Sequence, residues 1–115
     1  MAVGVWLGCL IRDLLEDLKR VHLELLREVG VEYVVVDDED LCCGYPAEAI
    51  GAEEAASDSA KRALERALNK GVREVVTPCP GCYKCLSTRW EGSDVRVEHL
   101  VQLLARTLSK WKNKL

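Results

Sequence analysis

The sequence predicts a small doubly wound α/β domain: a four-stranded parallel sheet of order 2-1-3-4 with helices on both faces. Three observations lead there. Four short apolar or β-branched runs recur along the 115 residues, helical patterns long enough to act as crossovers separate them, and no Pro- or Ser-rich linker, low-complexity tract or internal repeat interrupts the alternation. Strands joined through helices cross over right-handedly and make parallel sheets covered on both faces. Residues 1–115 read as one domain, of a size that buries a core without needing disulfides.

The first run, VGVWLG (3–8), is apolar and closed by glycine. VEYVVVD (31–37) and VREVVT (72–77) are β-branched, and DVRVEHL (94–100) is weaker, alternating at Val95 and Val97. The first three have the near-continuous hydrophobicity of strands buried on both faces. After the first strand, Leu14, Leu18, Val21, Leu25 and Val29 recur on one helical face, with Gly30 as a C-terminal cap. From Ala47 to Lys70 a single helix is expected, in which Ala52, Ala56, Ala60, Leu64 and Leu68 form a narrow face suited to close packing on a sheet, ended by Gly71. A third helix opens at CPGC (79–82), with Pro80 in its first turn. The last segment places Leu100, Leu104, Leu108, Trp111 and Leu115 on one stripe. The order is βαβαβαβα.

A net charge of -3 supplies no long-range attraction for nucleic acid or an anionic membrane. No stretch approaches the roughly 20 apolar residues of a membrane span, and MAVGVWLGCL lacks the positive start of a signal peptide. The expected compartment is the cytoplasm, where clustered cysteines bind metal or do redox chemistry more often than they form structural bridges. One Gln, two Asn and no Phe beside abundant Glu, Arg and Lys lean towards a thermophile, in which intracellular disulfides are less unusual.

The six cysteines carry the functional signal. Cys9 follows the first strand, Cys42 and Cys43 the second, and Cys79 and Cys82 the third. In a parallel sheet these strand ends share one carboxyl edge, and ligands of open α/β sheets bind there. Vicinal Cys42 and Cys43 make a poor disulfide, because adjacent Cα atoms lie about 3.8 Å apart against a preferred separation of about 5.5 Å. They make a reasonable pair of ligands for a site with more than one metal atom. Gly44 leaves room for backbone to approach the site and can adopt a turn closed to other residues. Free amides at the start of the third helix favour thiolate and donate to sulfur. A lone CxxC is equally a redox dithiol, a zinc half-site or an accident. The combination is more specific, with 32 residues between Cys9 and Cys42 and 35 between Cys43 and Cys79.

This arrangement, carried by VWLGCL, CCGYPAEAIG and VTPCPGCYKCL, resembles the cysteine-rich CCG domain. That module occurs in the B subunit of heterodisulfide reductase and in iron-sulfur subunits of glycolate, lactate, glycerol-3-phosphate and succinate-oxidising systems. The resemblance implies a 4Fe-4S-type cluster, in heterodisulfide reductase a non-cubane one, with Cys9, Cys42, Cys43, Cys79 and Cys82 as ligands and Gly44 in the central motif. It also implies electron transfer, with cleavage of a thiol or disulfide substrate at the cluster. Relatives usually carry two such domains, whereas one is present here, so the expected partners are a second CCG domain, from a twin or another subunit, and a redox partner protein.

The alternative of a different class is a zinc-binding or disulfide-containing regulatory module. Zinc takes four ligands, which five or six cysteines overfill. A thioredoxin-like dithiol enzyme would leave Cys9, Cys42 and Cys43 idle.

Several other residues invite a role. Cys85, three residues past Cys82, is a spare ligand, an attacking thiol or an ordinary buried small hydrophobe. His99, at the end of the fourth strand, is a proton donor to a departing thiolate or a cap of the last helix. His22 reads as structural. Asp37, Asp38, Glu39 and Asp40 read as a solvated loop that would lower a nearby cluster's potential. Arg12, Lys84 and Arg89 steady an anionic site or are surface charge. Trp111 among Lys110, Lys112 and Lys114 is expected to cover the sheet and extend into a subunit contact.

Overall fold

Runs of valine, which favour extended backbone and bring no polar side chain into the interior, form the centre of the molecule. The structure, a computed structural model describing residues 2–38 and 41–109, contains β1 (Val3–Val5), α1 (Cys9–Asp13), α2 (Glu16–Glu28), β2 (Tyr33–Val35), α3 (Tyr45–Ala49), α4 (Glu53–Asn69), β3 (Glu74–Thr77), α5 (Pro80–Arg89), β4 (Arg96–His99) and α6 (Leu100–Ser109). The four strands form one sheet of order β2-β1-β3-β4, parallel throughout. Val3 lies opposite Tyr33, Val5 opposite both Val35 and Val76, and Val75 opposite Val97. The predicted fold class and strand order are those observed.

Strand alternation sends neighbouring side chains into two cores. Trp6, Val36 and Val75 face a cluster with Ala60, Ala63, Ala67, Leu86 and Trp90, built by α4 and α5. Val5, Leu7 and Val76 face the other, with Leu26 of α2 and Leu100 and Leu103 of α6. The alanines let α4 lie close to the sheet, and the Trp90 indole donates to the Ala60 carbonyl at 2.8 Å.

Four expectations need correction. The helix expected from Ala47 to Lys70 is two, because Gly51 takes a left-handed φ of 82° between α3 and α4. Its buried face is Ala56, Ala60, Ala63 and Ala67, with Leu68 exposed. Steps of four advance 400° round a helix of 3.6 residues per turn and drift off a face, whereas mixed steps of four and three hold it. The run 31–37 is only half-buried along β2, which is an edge strand. The stripe Leu14, Leu18, Val21 and Leu25 faces solvent, while Leu23 and Leu26 turn to the sheet. Of the last predicted stripe, Leu100 is buried, Leu104 packs against the core and Leu108 is exposed. Lys110, Trp111, Lys112, Lys114 and Leu115 lie outside the described residues, as do Glu39 and Asp40. No described helix is long and apolar enough to cross a membrane.

Candidate metal centre

The site begins where β1 ends. Trp6 continues the pairing through its N–H to the Val76 carbonyl at 2.9 Å, and the chain then turns through Leu7 and Gly8 into α1, whose first residue is Cys9. Asp37, just past β2, fixes that turn. Its two carboxylate oxygens accept the N–H groups of Leu7 at 2.9 Å and Gly8 at 2.8 Å, and its side chain is fully buried. The expectation of a solvated acidic loop therefore fails at Asp37, because the turn needs an acceptor for both amides. Burial pushes the Asp37 carboxyl up, against the opposing pull of those amides and of Arg12. Asp38 is partly exposed and pairs with Lys70 and Arg66, which hold it below the ordinary carboxylate value.

Arg12 reaches from α1 to the carbonyls of Asp37 at 3.2 Å and Leu41 at 2.8 Å, tying the Cys9 turn to the start of the CCG segment. Its ion pair with Asp13 leaves it a brace, where the sequence offered only an anion-steadying or surface charge.

The second strand end carries Cys42 and Cys43. Gly44 follows with φ 96°, and a Cβ built there would lie 2.5 Å from the Ala56 carbonyl oxygen of α4. The backbone that Gly44 leaves room for is thus that of α4, in a turn of positive φ, and Gly44 is not among the residues lining the cysteine cavity. Its N–H donates to the Cys42 sulfur, and the Tyr45 N–H to the Cys43 sulfur, each at 3.4 Å.

The third strand end supplies the CPGC bracket. Cys79 caps α5, its sulfur accepting the Cys82 N–H at 3.4 Å, while its own N–H donates to Thr77 Oγ1 at 3.2 Å. Pro80 occupies the first turn, where no N–H is missed. Gly81 is bare because the Tyr45 ring covers it: a Cβ there would come within 2.8 Å of the ring.

These three segments enclose a cavity of about 240 Å³ lined by Cys9, Cys42, Cys43, Cys79 and Cys82, with Trp6, Tyr45 and prolines among its apolar walls. A Cβ at Gly8 would lie 3.4 Å from Cys79 Cβ and 3.6 Å from Cys82 Sγ, so the Cys9 turn abuts the bracket. Cys9 is exposed at the rim, Cys42 and Cys79 are half-buried, Cys43 and Cys82 are buried, and all are free thiols. A hydrogen bond from Cys82, helped by the Tyr45 amide, brings the Cys43 thiol down to about 7, and the same contact pushes Cys82 up. Burial raises Cys42. Among the described residues no three Cys, His, Asp or Glu side chains are disposed to hold a single metal ion. Soft thiol donors on three sides, with amides already aimed at three of the five sulfurs, fit a sulfur-ligated multi-iron group.

Cys85 is fully buried beneath this site and donates its S–H to the Cys43 carbonyl at 3.2 Å. It does not line the cavity. His99 accepts the Val101 N–H at Nδ1, which leaves Nε2 to donate to the Pro78 carbonyl at 3.2 Å, and its ring meets Tyr83 edge to face. Both ring nitrogens are engaged, one of them on the first turn of α6, and the ring is absent from the cavity wall. His22 contacts the Leu18 carbonyl within α2. Lys84 pairs with Glu48, and Arg89 with Glu48 and Glu53, fastening α5 to α3 and α4. A larger cleft of about 480 Å³ beside β4 contains no thiol, and its Arg96 and Arg106 pair with Glu74 and Glu98. Sequence reasoning missed Asp37 as the clamp and Trp6 and Tyr45 as walls. The position of Asp37, closing the β-branched run ahead of the rest of the acidic block, was the available signal for the first.

Fold and site together define a parallel α/β domain that collects thiols from three strand ends around one cavity. The sequence profile of the cysteine-rich CCG domain matches residues 3–87, and the chain belongs to that family. Similar proteins include the B subunit of fumarate reductase (CoM/CoB) from Methanothermobacter marburgensis, 32% identical over 97% of this chain and 23% of that protein. The D subunit of dihydromethanophenazine:CoB--CoM heterodisulfide reductase from Methanosarcina barkeri is 26% identical over 78% of this chain and 24% of its own length. An uncharacterised iron-sulfur protein of Methanococcus maripaludis is 26% identical over 92% of this chain and 21% of its own. The chain thus spans under a quarter of the length of these relatives. No solved structure matches.

Proposed function

We propose that this chain is an iron-sulfur redox module that holds a 4Fe-4S-type cluster, cubane or non-cubane, through Cys9, Cys42, Cys43, Cys79 and Cys82. The observation that carries the reading is the cavity lined by all five cysteines from three strand ends. Relatives named as iron-sulfur proteins and as reductase subunits support it. A bound cluster supplies one-electron chemistry. The chain's own residues do the rest: Asp37 and Arg12 set the Cys9 turn, Gly44 and the start of α5 aim amides at sulfur, and Trp6 and Tyr45 exclude water. N–H···S bonds of this kind raise a cluster's potential.

In this reading the module works in the cytoplasm within a heterodisulfide-reductase-like assembly, beside a second CCG domain and a redox partner protein. A thiol or disulfide is the substrate class. The test is anaerobic preparation with iron and sulfide. A brown protein with about four iron and four acid-labile sulfide per chain, bleached by one-electron reduction, is expected. A colourless protein binding one zinc per chain overturns the proposal in favour of a zinc module.

A further inference from the structure

Cys85 is the cysteine that the cavity does not use, and its surroundings give it a task. It is fully buried on α5, and its S–H donates to the Cys43 carbonyl at 3.2 Å. That carbonyl belongs to the same peptide unit as the Gly44 N–H, which donates to the Cys42 sulfur at 3.4 Å. The unit is planar and trans, so its C=O and N–H point in opposite directions. A donor that holds the carbonyl towards the interior therefore aims the amide the other way, at a sulfur on the cavity wall.

The thiol is itself directed. The guanidinium of Arg89, one turn further along α5, lies beside the Cys85 sulfur. Its Nη atoms are taken by Glu48 and Glu53, and its buried Nε has no hydrogen-bond partner among the described residues. A guanidinium has donors only, so its positive edge beside Sγ turns the thiol proton away, and the Cys43 carbonyl receives it.

We propose that Cys85 is a positioning residue of the metal centre: by holding the Cys43–Gly44 peptide plane it keeps the Gly44 amide on the Cys42 sulfur, and so raises the potential of the cluster that this sulfur holds. The second half rests on the cluster reading, whereas the amide geometry belongs to the chain alone. Groups that orient a metal's ligands tune its potential, and N–H···S bonds act in that direction. The plain alternative for a buried cysteine is that it fills space. Any small side chain that fits would then serve, whether or not it can donate.

Alanine and serine at position 85 separate the two. They leave nearly the same space and differ by one hydroxyl that can donate to the Cys43 carbonyl. Amide hydrogen exchange on the reduced, iron-free chain reads the geometry with no cluster present. In Cys85→Ala the Gly44 amide should exchange about three- to tenfold faster, the equivalent of one net hydrogen bond, and in Cys85→Ser it should stay near the parent rate. The Cys82 amide, which makes the same kind of bond to the Cys79 sulfur from a different peptide, should not move in either variant. On the iron-loaded chain the midpoint potential should fall in Cys85→Ala and return in Cys85→Ser, with iron and sulfide content unchanged. Alanine and serine behaving alike at Gly44, exchange rising equally at Gly44 and Cys82, or an iron-loaded Cys85→Ala with the parent's potential overturns the proposal. A chain that takes up no iron sinks the cluster reading instead, and the exchange comparison then decides the placement of the amide.

Discussion

Gly44→Ala is the substitution whose consequence can be worked most fully from the structure. Two costs meet there. The backbone sits at φ 96°, and a left-handed conformation costs an L-residue about 1–2 kcal/mol. The added methyl would also lie 2.5 Å from the Ala56 carbonyl oxygen, a backbone atom at the N-terminal end of the alanine face that seats α4. Relieving that contact moves α4 or the CCG turn, and overpacking of this kind costs about 1–3 kcal/mol. Gly51→Ala is the natural control: φ is 82° and nothing lies within 4 Å of the built Cβ, so only the first cost applies. In urea unfolding at equal m-values, Gly44→Ala should therefore lose at least about 1 kcal/mol more than Gly51→Ala, a further midpoint shift of roughly 0.5 M. Equal losses would refute the close-approach argument and reduce Gly44 to an ordinary turn glycine.

Other perturbations follow from the same contacts. Asp37→Asn places an amide donor against one of the two backbone N–H groups that the carboxylate now accepts, and should cost about 1–3 kcal/mol in denaturant unfolding. Gly81→Ala should cost under about 1 kcal/mol, since the Tyr45 ring can swing outward, and should add little in a Tyr45→Ala background; a double-mutant cycle measures this coupling. Lys70→Met tests the pH dependence of stability. Because Lys70 holds Asp38 below its unfolded-state value, that contribution is complete above the unfolded value and disappears as pH falls through the folded one. Losing Lys70 should flatten stability between about pH 5 and pH 2, by no more than about 1 kcal/mol for so exposed a pair.

The sheet was legible because its valine runs are short, separated and bounded by glycine, and because helices between them force parallel pairing. The five-cysteine set was legible for the same reason: strand ends are fixed once the order of elements is known, and CCG and CPGC each follow one. Side-chain direction was less accessible. The stripe from Leu14 to Leu25 has helical spacing, but spacing does not say whether the apolar face meets the domain's own sheet or solvent. Gly44 was marked by its neighbours in sequence, yet the atom it avoids belongs to Ala56, twelve residues away in another helix. Asp37 looked like part of a charge run until the turn after β1 presented two amides to its carboxylate. Cys85 stood in the same helical row as Cys82, and only packing shows its sulfur turned to the Cys43 carbonyl.

The most direct measurement of the central claim is the iron and acid-labile sulfide content of six single variants prepared anaerobically: serine at Cys9, Cys42, Cys43, Cys79 and Cys82, and alanine at Cys85. The cavity predicts that each of the five serine variants loses iron and sulfide or holds them less stably, while Cys85→Ala keeps the full complement with a stability loss near 1 kcal/mol. Full, stable iron in Cys9→Ser together with its loss in Cys85→Ala would contradict the account.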